Sequence, residues 1–361
     1  MTARVYRLEH GNSQGAGSAG TSRERSQIRP VRWSAAWCAA LCMLIAGAHC
    51  SKQDDPIARA EDPAARRAVL DAVEASLRSA RLDEALLVAR RLAVALPNDA
   101  DVQEILARTH LARSLAAVQP ALQSTERAAA AQAYLRAAQL RPTHAGFQSA
   151  AGVAAQQAGM LDEAVACFER AQSADGANAQ HPLYLGQVLL QSGEVARARA
   201  CFERASALAP ESPWPISALA VLELQMGNAP VALELAQRAR TLDPQADQLR
   251  VVEAKVLRKL GRHADVLTLL LALPPKSRGS EAFAWEIASA HESLGDRVAA
   301  AAAWGEWAEV CASAEAAADA ARRWEDAGDP IQAASWRRVA VQRGWVPPPL
   351  STSASAPRRG G

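Results

Sequence analysis

Aromatic side chains are scarce in this chain: four Phe, three Tyr and nine Trp amount to 4% of its 361 residues. Alanine dominates instead, and the aromatic and β-branched runs that build a sheet are missing, which excludes a β-sandwich or barrel as the organising core. A charge of one sign is missing too. The net charge is +2, and residues 1–50 hold six Arg against two Glu, which leaves 34 basic and 36 acidic residues in the rest. So balanced a body gives no electrostatic case for a nucleic-acid partner. Cysteine is sparse, with six residues and no disulfide framework. Cys167 and Cys201 lie 34 positions apart, and equivalent atoms of packed helices stand about 8–10 Å apart, beyond the ~7 Å limit for bridging. With Cys311 they are expected as buried small apolar residues. The uncharged segment Trp33–Ala48 has sixteen residues, too few for a comfortable transmembrane helix.

What the chain does have is a period of 34 residues. A small residue is followed by Gly seven places on, Ala five later, a bulky residue four later and Ala three after that. The clearest copy is Gly152, Gly159, Ala164, Phe168 and Ala171. Next come Gly186, Gly193, Ala198, Phe202, Ala205 with Pro210, and then Ala220, Gly227, Ala232, Ala236, Ala239 with Pro244. Each unit holds two stretches of apolar spacing at helical period, joined by a Gly and often closed by a Pro. Gly159, Gly193, Gly227, Gly261, Gly295 and Gly328 fall where the first helix ends, a place suited to a left-handed residue. Phe168, Phe202 and Trp304 are expected to fill the gap between units. No single helix pair can bury its apolar face alone, so the units must stack.

These residues resemble the tetratricopeptide repeat, a helix-turn-helix unit of 34 residues. The resemblance implies an all-α fold, a right-handed α-solenoid of about eight stacked repeats over residues 66–346. Repeats three to five, over 145–246, are the most regular. The first repeat has Ala80 where Gly is usual. The second keeps Ala130, Tyr134, Ala137 and Pro142 but carries roughly eleven extra residues around Leu115–Ser124, with Pro120 inside, expected as a surface loop. The sixth loses the pattern after Gly261. Residues 347–361 read as a disordered tail.

Residues 1–32 are polar, basic and Gly/Ser-rich and read as a disordered leader, with a true start further in as one explanation. Segment 33–50 suits an export signal with Arg29 and Arg32 as its basic flank, and 51–65 reads as a linker. Ala46, Gly47 and Ala48 fit ordinary signal cleavage. Cys50, followed by a polar acidic stretch, looks like the acylated cysteine of bacterial lipoproteins, although His49 and Gly47 depart from that pattern. Lipid attachment at Cys50, plain secretion, an uncleaved anchor and a cytoplasmic protein with a misread start all stay open. The leading expectation is an exported protein of the cell envelope, at the outer membrane or in the periplasm, held at the membrane by a lipid or signal anchor.

In arrays of this family the first helices of successive units line a groove that receives a partner. The resemblance carries that face onto Ser149, Gln156 and Gln157, onto Gln180, Gln187 and Gln191, and onto Trp214, Ser217 and Gln225. It continues through a basic group, Lys255, Arg258 and Lys259, to Trp285 and Glu292. Amides there would bond an extended backbone and the basic group would receive a carboxylate. The bland alternative is a solvated helix face, on which Gln, Lys and Arg are ordinary. The paired Lys and Asn of the chaperone-binding carboxylate clamp are absent.

Chemistry-bearing motifs are few. Gly15, Gly17 and Gly20 match a dinucleotide fingerprint only as a string, because no helix or second strand follows before Pro30. The seven His show no ligand spacing and are expected at surfaces or helix interfaces. Neither a Ser/His/Asp nor a Cys/His arrangement presents itself, so no catalytic residues, metal or cofactor are expected. Trp304 is expected in the core, and Trp336 and Trp345 either pack the last helix or form an aromatic patch. The expectation for function is therefore a non-catalytic scaffold that binds a protein or peptide. An assembly factor for a secretion, pilus or polysaccharide system is the alternative, as is an accessory subunit of an envelope enzyme.

Overall fold

Within each of two compact units, successive helices pair across short turns, as the period of 34 residues requires. A computed structural model describes residues 56–274 and 278–346. The leader, the export segment, Cys50 and the tail beyond Val346 lie outside the described residues. Among the described residues there are sixteen helices and no strand. They run α1 (Pro63–Arg78), α2 (Leu82–Ala95), α3 (Ala100–Ala116), α4 (Pro120–Leu140), α5 (Ala145–Gln157), α6 (Leu161–Ala174), α7 (Gln180–Gln191) and α8 (Val195–Leu208). The second half continues with α9 (Pro213–Gln225), α10 (Ala229–Leu242), α11 (Asp247–Lys259), α12 (His263–Leu271), α13 (Glu281–Ser293), α14 (Arg297–Cys311), α15 (Ala314–Asp326) and α16 (Pro330–Gln342). Odd-numbered helices open the repeats and even-numbered helices close them. The fold is all-α and made of helical repeats. The chain divides between Cys201 and Phe202 into two compact units.

The turn inside each repeat explains the glycine spacing. Gly159, Gly193, Gly227, Gly261, Gly295 and Gly328 all have φ between 72° and 85°, the left-handed region where a Cβ is disfavoured. The first repeat makes the same turn without glycine: Ala80 sits at φ 57°. The small residue of the repeat has a different cause. A Cβ on Gly152 would stand 2.8 Å from the Phe168 ring, so the absence of a side chain on α5 is what lets α6 seat its phenyl group. Phe168 is fully buried, as is Ala164 one turn before it.

In the first unit the core joins Val73, Val88, Leu92 and Val102, then Tyr134, Phe147, Ala151 and Cys167. In the second unit it passes through Val256 and Ala232 to Leu257, Val266, Phe283, Ile287 and Trp304. Trp304 is thus a core residue. Trp336 and Trp345 pack on Ala317, Ala318 and Ala340, and a Cβ on Gly305 would meet the Trp336 ring at 3.1 Å. Packing of the last helix is therefore what these two indoles do. The histidines His110 and His181 are buried, at 4% and 5% exposure.

Two expectations need correction. The extra residues of the second repeat do not form a loop. They lengthen both helices: α3 has 17 residues and α4 has 21, against 13 and 14 for α5 and α6. The connection between α3 and α4 remains three residues long, 117–119. Pro120 lies in the first turn of α4, where its missing N–H costs nothing. The cysteines do not share one environment either: Cys167 is buried, Cys201 half-buried and Cys311 exposed. Cys311 is the last residue of α14, ahead of a left-handed Ala312 at φ 51°, and so escapes the packed face.

Candidate functional site

The first helices of the regular repeats carry the expected surface residues, and each unit presents its own set. In the first unit Gln157, Gln187 and Gln191 are exposed and Gln156 is half-buried. Gln156 Nε2 donates to Gln191 Oε1 at 3.4 Å, which links α5 to α7 across one repeat. Gln157 and Gln191 occupy equivalent places 34 residues apart, so the same amide position recurs from one repeat to the next. Gln148, on the same helix, is instead buried: its amide donates to the carbonyls of Ala138 and Pro142. It therefore fastens the loop between repeats.

Beside the amides lies a contact that the sequence does not show. Ser149 Oγ is 2.9 Å from His181 Nδ1, and Asp175 Oδ2 lies 3.9 Å from His181 Nε2. Burial lowers the His181 pKa, against a smaller opposing pull from Asp175, so the ring is neutral near pH 7. Asp175 is beyond hydrogen-bond distance, and Nε2 is buried without a partner. Ser149 and His181 together act as a polar tie between α5 and α7.

A second polar cluster is built by the long hairpin. His110 Nδ1 and Glu126 Oε2 are 2.6 Å apart, and Arg113 Nε donates to Glu126 Oε1 at 3.0 Å. Arg113 also pairs with Asp83 on α2. Burial alone would raise the Glu126 pKa, but the hydrogen bonds from His110 and Arg113 outweigh it and hold the carboxyl below its ordinary range. The cluster fastens α3 to α4 at the base of their extension. Beyond it Leu115 and Val118 are 58% and 90% exposed.

In the second unit Trp214 and Trp285 are each 42% exposed, Gln225 is exposed and Ser217 is buried. The basic group divides. Lys259 is exposed and Lys255 half-buried, whereas Arg258 is half-buried and held through Nε and one ring face by its own chain. Its Nε donates to Glu286 Oε2 at 2.9 Å, and its guanidinium carbon lies 4.5 Å from the centre of the Trp285 ring. Glu286 is 1% exposed. Burial pushes its pKa up, against the pull of Arg258 and Lys255. Glu292 pairs with Arg323 at 3.4 Å. Lys255, Arg258 and Trp285 thus meet around one buried carboxylate, while Trp214 on α9 is not among the side chains gathered there. Nothing in the periodicity marks Glu286, because it lies between the exposed face of α13 and its core face.

No group of three or more His, Cys, Asp or Glu is placed to hold a metal ion among the described residues. Nor is any described helix long and apolar enough to cross a membrane.

Comparison with known proteins agrees with the repeat register. Residues 147–178 match the tetratricopeptide repeat family model, within the most regular part of the chain. No curated protein matches the chain. Solved structures do. A thermophilic TPR protein of Thermus thermophilus is 25% identical, with 53% of this chain and 98% of that one covered and a TM-score of 0.39. A tetratricopeptide repeat protein of Parabacteroides merdae is 14% identical, with 66% and 93% covered and a TM-score of 0.44. The pilF protein of Pseudomonas aeruginosa is 18% identical, with 60% and 94% covered and a TM-score of 0.44.

Proposed function

We propose that this chain is a non-catalytic scaffold that receives a protein or peptide partner on the first helices of its repeats. The observation that carries the reading is that each unit exposes hydrogen-bonding or aromatic side chains on those helices. In the first unit Gln157, Gln187 and Gln191 face solvent, and in the second Trp214 and Trp285 do so. Amides bond an extended backbone, and indoles supply area at low entropic cost. The helices that display them are anchored by buried residues, Phe168 in the first unit and Ile216, Phe283 and Ile287 in the second, so the surface is formed before a partner arrives and association costs little ordering.

We place the scaffold at the bacterial cell envelope, tethered through lipid on Cys50, because an uncharged segment with a basic flank precedes that residue. Plain secretion after Ala48 and a retained anchor are the alternatives. Intact mass spectrometry of the protein from its native membrane fraction, beside a Cys50→Ala variant, decides this. Cleavage before Cys50 with added acyl chains, lost in the variant, is the expected result. An unacylated species beginning at His49 indicates free export, and a full-length mass rejects cleavage.

The binding reading is tested with a photoreactive amino acid at Gln187 or at Trp285 in the full chain. Crosslinks to a defined protein from both positions are expected. Silence at both, with the protein folded and abundant, rejects the scaffold.

A further inference from the structure

We infer that Arg258 is a preorganised anchor for an acidic side chain of the bound peptide, with Trp285 covering the residue next to it. The inference rests on the scaffold reading and names the chemistry of its partner. Three features carry it, all between α11 and α13 within the second unit.

The first is orientation. Among the described residues the guanidinium of Arg258 is engaged through Nε alone, at 2.9 Å from Glu286. Its face is held by the Trp285 ring 4.5 Å away. A guanidinium fixed on one edge and one face has both terminal nitrogens left in a set direction, and their planar fork matches a carboxylate. The second is charge. Lys255 and Lys259 lie within one helical turn of Arg258 on α11. Among the described residues, Glu286 is the one carboxylate joined to this group by hydrogen bond or ion pair. Lys255 and Arg258 both act on this one buried anion, which leaves an excess of positive charge beside it, and Lys259 on the same helix is exposed. The third is the adjoining apolar area. Trp285 remains 42% exposed after Arg258 is stacked on it, so an anion at Arg258 brings its neighbour along the peptide onto indole.

Glu286 then has two opposed roles. It aims Arg258, and its charge repels the incoming carboxylate. Glu286→Gln keeps an oxygen for Nε and removes the repulsion, so it tightens binding; a purely structural Glu286 would leave affinity unchanged or weaken it. Arg258→Ala is a poor probe, because it strands a buried carboxylate and endangers folding. The paired change Arg258→Met with Glu286→Gln removes both charges together and retains the bulk.

The experiment uses the full chain and two fluorescein-labelled, C-terminally amidated peptides read by anisotropy. One repeats Gly-Asp-Leu, and the other has Asn for every Asp. Amidation ensures that only side-chain carboxylates are tested. The Asp peptide is expected to bind about tenfold more tightly than the Asn peptide, the scale of one or two charge-assisted hydrogen bonds. Glu286→Gln should widen that ratio, and the paired variant should abolish it. Equal affinity for the two peptides, a ratio indifferent to the paired variant, or no binding of either peptide at millimolar concentration overturns the inference. Failure of the broader reading looks different. A partner that crosslinks at Gln187 while the Asp preference is absent sinks the acidic anchor alone and leaves the scaffold standing.

Discussion

Gly152 shows how little room the repeat leaves at the residue scale. With the Phe168 ring 2.8 Å from the site of its missing Cβ, Gly152→Ala forces a rigid phenyl group to move inside a filled core. The expected loss is about 1–3 kcal/mol, measured by urea unfolding at constant m-value. Ala80 offers the opposite test. It adopts the left-handed turn at φ 57° with a Cβ that costs about 1–2 kcal/mol there, partly offset by the added freedom glycine gives the unfolded chain. Ala80→Gly should therefore raise the midpoint slightly, and a fall would show that the strain is relieved elsewhere. Both residues are legible in the sequence, because the period of 34 names the small position and the turn position without reference to any partner. Arg258 is legible only in part. Its place on α11 follows from the register, but the carboxylate it holds lies 28 residues on, off the repeat spacing, and only packing brings the two together.

At the scale of elements, the long hairpin of α3 and α4 is held by a cluster rather than by repeat positions. Glu126→Ala leaves His110 buried beside a cavity and frees Arg113, at an expected cost of about 3 kcal/mol; Glu126→Gln should cost less. Urea unfolding of the two variants measures the difference. The pH dependence has a definite sign. The depressed folded-state pKa of His181 gives stability that is complete above the ordinary imidazole value of about 6.5 and declines as pH falls toward the folded value. The depressed pKa of Glu126 acts likewise in the carboxylate range, near the ordinary value of about 4.3 and below. Comparing urea unfolding of the wild type and His181→Gln from neutral to mildly acid pH isolates the histidine: wild type should lose stability more steeply. Parallel curves would contradict the burial. The hairpin itself escapes a reading of the sequence because uncharged residues around a proline suggest a loop, and only the helical pairing shows that Pro120 begins a helix.

On the scale of the molecule, stability is spread over repeats that each bury little alone. The shortest closing helix among the described residues is α12, nine residues with Val266 and Leu270 as its fully packed anchors. Hydrogen exchange should show its amides opening before those of α10 and α14, and equal protection would place the weak point elsewhere. The loss of repeat pattern after Gly261 already locates that element, whereas the partner and the fate of Cys50 lie beyond what a repeat can encode, since one architecture hosts many ligands.

The second repeat has one more consequence. Its helices exceed those of the third by four residues and by seven, close to one and two turns at 3.6 residues each. Added length in whole turns returns every side chain to its original bearing. The hairpin can therefore be lengthened or shortened like a telescope, its reach changing in steps of about 5 Å while its packed side keeps pointing the same way. Cutting two residues from α4 would swing everything beyond the cut to the far side of the helix, whereas cutting seven would merely make the hairpin shorter.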